Sequence, residues 1–239
     1  IIGASRRCSH SEDFGATWER IDVSLPSGDD LAVTAGEIRG ETIWLVGGVP
    51  MTEPSDTDGA SSGSPASGGF VLRSDDGGEV FEEKASGLDY ELTDVSFVNP
   101  AEGWVAAAKY TEGGAAIGVT DDGGESFEFV SLPDLPEDEI AFAAMGASTA
   151  LGGCERVEFF GRLVGVASCA TRTYEADGMN GLFLTSDGGA TWALETGYKA
   201  AFSSQLVAVS AIFDIAFPDC HRGWLAGEGK VIMRWDNDD

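Results

Sequence analysis

Basic side chains are scarce in this chain: 14 Lys and Arg stand against 41 Asp and Glu in 239 residues, a formal net charge of −27. A surface of that sign repels nucleic acid phosphate and anionic headgroups, so nucleic acid is not an expected partner. The charge is spread along the chain and not gathered into a block, which reads first as a solubility surface and second as a face for basic partners or cations. The sequence also lacks any run of the roughly 18 to 20 apolar residues that a membrane helix needs, so direct membrane insertion is not expected. Histidine is limited to His10 and His221, and the four cysteines, Cys8, Cys154, Cys169 and Cys220, form no CxxC pair. That leaves no metal-ligand spacing. An even cysteine count with so few histidines favours disulfides over zinc, and hence an oxidising compartment. No nucleophile elbow or phosphate loop is present, so no cofactor and no metal is expected. Asn180 and Asn237 do not lie in N-x-S/T sequons. No signal-peptide pattern is visible, and the chain opens Ile1-Ile2-Gly3 without Met, as it would after trimming.

Glycine, by contrast, is plentiful at 33 residues, and apolar residues at 43% suffice for a packed core. One octet recurs four times, at Ser11–Trp18, Ser74–Phe81, Thr120–Phe127 and Thr185–Trp192, and fits S/T-x-D-x-G-x-(T/S/V)-(W/F). Each part suits a tight turn between strands. Asp can accept backbone N–H bonds ahead of it, Gly can take positive φ, and the aromatic can anchor the outgoing strand.

Around the octets lie short apolar runs rich in β-branched and aromatic residues, such as Thr42–Val46, Glu91–Val98 and Ala211–Phe217, bounded by Gly, Pro and Asn. Counting them gives seventeen strands. Trp44, Trp104, Leu163 and Trp224, taken as the openings of successive second strands, lie 60, 59 and 61 residues apart, whereas the octets lie 63, 46 and 65 apart. A steady period with variation confined to one connection marks a repeat array. Four strands per repeat predicts an all-β fold, a β-propeller of four-stranded antiparallel blades, as one domain over residues 1–239. The expected count is about five blades with incomplete ends; the alternatives are four blades, or part of a larger propeller. The Ser- and Gly-rich stretch 51–69 and the polar stretch 171–180 read as inserted loops.

With its octets and the stretches DVSFVNPAEGWVAAA and IFDIAFPDCHRGWLAGEGKVIMRW, the chain resembles the Asp-box, or bacterial neuraminidase repeat, propellers. Its pattern is most similar to that of the photosystem II stability and assembly factor family. The resemblance runs through almost the whole chain. It implies structural Asp-box roles for Asp13, Gly15 and Trp18, for Asp76, Gly78 and Phe81, for Asp122, Gly124 and Phe127, and for Asp187, Gly189 and Trp192. These would be turn braces between third and fourth strands, with no catalytic residue among them. It likewise implies that Trp44, Trp104 and Trp224 pack between blades. Sialidases and xyloglucanases share these turns, so the resemblance speaks for fold more than for function. A sialidase needs three substrate-binding arginines and a tyrosine nucleophile. Ten arginines are present, but the arginine-isoleucine-proline motif is absent, and Tyr90, Tyr110, Tyr174 and Tyr198 have no catalytic context. The 41 acids leave room for the two opposed carboxylates of a glycoside hydrolase.

Blade positions then pair the cysteines. Cys154 and Cys169 flank a hairpin about Gly161, and Cys8 and Cys220 fall on one face of the first and last blades, so both pairs are expected to be disulfides. The expected function is a non-catalytic scaffold, secreted, periplasmic or at the cell surface, binding a protein partner or a surface polysaccharide. The alternative is a glycoside hydrolase or sialidase-like carbohydrate-processing enzyme.

Overall fold

Short apolar runs separated by glycine turns become strands in the computed structural model, and among the described residues no helix forms. It describes residues 8–11, 13, 15–21, 23–26, 31–49, 68–109, 114–135, 150–171, 180–195, 212–219, 222–227 and 231–236. Seventeen strands occur among them. The chain divides into two compact units, Ile1–Gly103 with Thr120–Phe127, and Trp104–Val119 with Glu128–Asp239.

In the first unit β1 (Cys8–His10) and β2 (Glu19–Ile21) form an antiparallel hairpin. A four-stranded antiparallel sheet follows, built in chain order from β3 (Ala32–Arg39), β4 (Thr42–Gly48), β5 (Gly69–Ser74) and β6 (Glu82–Leu88). The run Ile43-Trp44-Leu45-Val46 in β4 is apolar at every position because both faces of this strand are buried. One face is a core of Leu31, Val33, Ile43, Leu45, Phe70 and Leu72, against which Ile21, Val23, Leu25 and Phe81 also pack. At the outer edge β6 exposes Glu82 and Glu83, and charge on an edge strand opposes further pairing. Strand β7 (Glu91–Phe97) packs on β3 and β4. The Thr34 hydroxyl donates to the Leu92 carbonyl, and the Glu37 carboxylate accepts the Phe97 N–H.

The second unit holds β8 (Gly103–Ala108), β9 (Ala115–Thr120) and β10 (Glu128–Ser131), then β11 (Leu151–Phe159), β12 (Gly165–Thr171), β13 (Asn180–Thr185) and β14 (Ala193–Leu194). The order is β10-β9-β8-β11-β12-β13-β14, with β8 and β11 joined through the single pair Ala108 and Gly153. Strands β15 (Ile212–Asp219), β16 (Arg222–Gly227) and β17 (Val231–Asp236) make a three-stranded antiparallel sheet.

The expectation that the second strand of the fourth repeat opens at Leu163 is corrected. That strand opens at Gly165, while Leu163, 60% exposed, belongs to the preceding turn. The reason is steric. Phe97 lies over Gly103, Phe159 over Gly165 and Phe217 over Gly223, each so close that a Cβ on the glycine would fall 2.3–2.6 Å from the ring. Such a glycine opens β8 and β12 and is the second residue of β16, one residue before Trp104, Val166 and Trp224. Val166 takes the register position held elsewhere by tryptophan: it pairs with Glu158 as Trp44 pairs with Glu37 and Trp224 with Ala216.

Candidate functional site

The four octets form turns, and three of them share one full hydrogen-bond plan. In the turn from β13 to β14, the Thr185 hydroxyl donates to Asp187 Oδ1 at 2.8 Å and accepts the Gly189 N–H at 3.0 Å. Asp187 Oδ1 accepts the Thr191 N–H at 2.9 Å, and Oδ2 accepts the Thr191 hydroxyl at 2.6 Å. The same bonds join Ser11, Asp13, Gly15 and Thr17, and again Thr120, Asp122, Gly124 and Ser126. Gly15, Gly78, Gly124 and Gly189 all have φ between 88° and 99°, which an L side chain rarely adopts, and this fixes glycine at that position. The tryptophans and the phenylalanines close their turns differently. The Trp18 and Trp192 indoles donate to Gly15 O and Gly189 O, both at 3.1 Å, yet Trp18 is 48% exposed and Trp192 is buried. Phe81 and Phe127 are half-buried.

The turn at Asp76 departs from this plan. Val80 stands where the others have Thr or Ser, so Asp76 keeps the Ser74 hydroxyl and the Val80 N–H on Oδ1 but gains no hydroxyl on Oδ2. The electrostatics follow the bonding. Asp13 falls to about 2, chiefly through the Thr17 N–H and hydroxyl, and Asp187 to about 2 through the Thr191 hydroxyl and N–H. In Asp122 burial pushes the carboxyl up, but the Ser126 hydroxyl and N–H outweigh it and carry it down to about 2. Asp76 is also lowered, first by the Ser74 hydroxyl. All four are therefore anions that accept local donors, the opposite of a proton-donating acid.

Two of the three tryptophans reach an Asp turn of the following repeat. The Trp44 indole donates to Gly123 O at 3.3 Å and its ring stacks on Phe97 at 4.1 Å. Trp104 donates to Gly188 O at 2.9 Å and stacks on Phe159 at 3.6 Å. Trp224 is 44% exposed and makes no ring contact among the described residues. Arg73 completes the first of these junctions: it binds Asp75, donates to Pro100 O at 2.8 Å and lies 5.4 Å from the centre of the Trp44 ring.

Cys154 and Cys169, partners in the register of β11 and β12, form a buried disulfide. Cys220 and His221 lie outside the described residues, and so does the expected Cys8–Cys220 bond. Residues 51–67 and 172–179 of the two expected loops also lie outside them. Among the described residues no group of three or more His, Cys, Asp and Glu could hold a metal ion, and no helix is long and apolar enough to cross a membrane.

Pattern reading missed three glutamates. Glu37 and Glu158, each opposite the tryptophan register position, send a carboxylate to the N–H of Phe97 and of Phe217, the latter at 3.1 Å. A charged residue inside an apolar strand was the available signal. Glu91 is different: burial alone pushes its carboxyl up to about 7. Burial likewise raises Glu37 and Glu155, the latter against the pull of Arg156.

Antiparallel sheets throughout the described residues, with recurring Trp–Phe stacks and Asp turns, fit the class of β-propellers, and solved structures agree in fold. YCF48 from Cyanidioschyzon merolae is similar at 13% identity over 98% of this chain and 62% of that one, with a TM-score of 0.56. The GH74 xyloglucanase from Xanthomonas campestris is similar at 15% identity over 97% of this chain and 41% of that one, with a TM-score of 0.52. A Hadza microbial sialidase is similar at 15% identity over 96% of this chain and 43% of that one, with a TM-score of 0.53. The chain thus spans about three fifths of the first and about two fifths of the two enzymes, and the likeness is one of fold. No family model and no curated protein matches the chain.

Proposed function

We propose that this chain is a non-catalytic β-propeller with Asp-box turns, working outside the cytoplasm as a scaffold for a protein partner or a surface polysaccharide. Sheets of two, four, eight and three strands, the eight read as two blades that meet at the single pair Ala108 and Gly153, support about five blades with incomplete ends. The observation that carries the reading is the bonding of Asp13, Asp76, Asp122 and Asp187. Each accepts N–H and hydroxyl groups of its own turn, so the carboxylates repeated in all four turns are spent on architecture. What differs between repeats is then the exposed turn surface. The oxidised Cys154–Cys169 pair supports an extracytoplasmic site. The test is affinity capture from the source organism, repeated with the exposed turn acids Asp75, Glu79, Asp121 and Glu125 changed to Ser. A specific partner or polymer lost in that variant supports the scaffold; identical capture by both proteins refutes it.

One observation favours the enzyme reading. Glu91, partly buried and raised to about 7, is the kind of carboxyl that can stay protonated as a general acid at neutral pH. Turnover of a fluorogenic glycoside, abolished in Glu91→Gln, would establish that reading in place of the scaffold.

A further inference from the structure

One junction is built twice between successive repeats. An indole stacks on a phenylalanine in the opening strand of the next repeat and donates to a glycine carbonyl in the Asp turn of that repeat. Trp44 does so with Phe97 and Gly123, and Trp104 with Phe159 and Gly188. Both tryptophans and both phenylalanines are buried.

Elsewhere the same parts stand apart as two halves. The repeat of β3 to β6 presents an acceptor half. Ile38 follows the register partner of Trp44, as Phe159 follows that of Val166 and Phe217 that of Trp224, so Ile38 holds the phenylalanine place. Phe97, Phe159 and Phe217 are buried, whereas Ile38 is 66% exposed. In the Asp turn of that repeat the Gly77 N–H donates to Glu41 O, as the Gly123 N–H does to Ala101 O and the Gly188 N–H to Leu163 O. Gly77 therefore holds the place of the two carbonyl acceptors. It too is exposed, where Gly123 is buried and Gly188 half-buried. The donor half is Trp224, 44% exposed on β16. Charge matches the halves. Arg234 is the register partner of Trp224 as Arg73 is of Trp44, and Glu41 stands in the acceptor half where the built junctions have Ala101 and Leu163.

We infer that the two halves meet between copies of this chain, Trp224 of one copy lying on Ile38 of a second and donating its indole N–H to Gly77 O. The built junctions define what covers such a tryptophan and what covers such an opening strand, and a second copy offers both. The contact joins different surfaces of the two copies, so it is heterologous. β1 precedes an Asp turn as β5 does, and β17 follows β16 as β5 follows β4, so β17 of one copy competes with β1 of the other for one place. β1 is the strand that yields, because three register pairs to β2 hold it against six between β17 and β16. This self-association goes beyond the scaffold reading and does not depend on it.

The experiment is sedimentation velocity of the whole chain from about 1 to about 100 µM, in wild type, Trp224→Ala, Ile38→Asp and an equimolar mixture of the two variants. Wild type should self-associate, and each variant alone should do so at least about tenfold more weakly, since every junction it forms lacks one half. In the mixture the Ile38→Asp chain brings an intact Trp224 and the Trp224→Ala chain an intact Ile38. One junction is thereby restored, and association should recover at least about tenfold over either variant alone, which also shows both variants to be folded. A wild-type chain that remains monomeric throughout, whether the halves close on each other within one chain or stay bare, would overturn the inference. So would variants that associate as tightly as wild type, or a mixture that associates no more tightly than its components.

Discussion

Trp44 lies flat on Phe97, with ring centroids 4.1 Å apart and planes 8° from parallel, although 53 residues separate them in the chain. The same pairing recurs between Trp104 and Phe159 at 3.6 Å and 7°. Each tryptophan also sends its indole N–H to a glycine carbonyl in an Asp turn, so one side chain ties its sheet both to the next strand and to the next turn.

Trp44→Phe keeps the stacked ring and removes the bond to Gly123. A loss of about 1–2 kcal/mol is expected in urea denaturation, because the buried carbonyl is left unbonded. Trp224→Phe, at a position 44% exposed, should change stability by about 0.5 kcal/mol or less.

The disulfide closes a loop of sequence separation 15 between β11 and β12. The double variant Cys154→Ser, Cys169→Ser should lose about 3 kcal/mol, with hydrogen-exchange protection falling first in β11 and β12. Uniform loss of protection across both units would contradict this.

Stability should fall on both sides of mildly acid pH. The turn aspartates sit below their ordinary value of 3.8, so their contribution is present above that value and is lost as pH drops through about 2. Glu91 sits above its ordinary 4.5, so its contribution is fully present below 4.5 and is lost as pH rises through about 7. Glu91→Gln should therefore raise stability at pH 8 by on the order of 1–3 kcal/mol and have little effect at pH 4.

Val80→Thr restores the hydroxyl that the second turn lacks. Carboxyl NMR should show Asp76 moving down toward the value near 2 of its siblings, because Oδ2 gains the donor that Thr17, Ser126 and Thr191 supply elsewhere. An unmoved Asp76 would show that the hydroxyl is not what separates the turns.

The Asp turns were legible in the sequence because their bonds are local: hydroxyl, carboxylate and glycine N–H all meet within four residues. The junctions between sheets were not. The Trp44 to Gly123 bond spans 79 residues and the Trp104 to Gly188 bond 84, and no local pattern records which carbonyl an indole will find. The misplaced strand opening at Leu163 has the same origin. Apolar character pointed to Leu163, whereas the contact that sets the strand is the Phe159 ring lying over Gly165. Glu91 gave less signal than Glu37 and Glu158, since a Glu at the first position of a strand becomes notable only once its desolvation is known.

The most direct test of the account is a carboxyl-detected NMR titration of Asp13, Asp76, Asp122 and Asp187 in the wild-type chain. All four should titrate below the ordinary aspartate value, Asp13, Asp122 and Asp187 near 2. Any one of them titrating near neutrality would mark a proton donor in place of a turn brace, and would contradict the scaffold reading at its root.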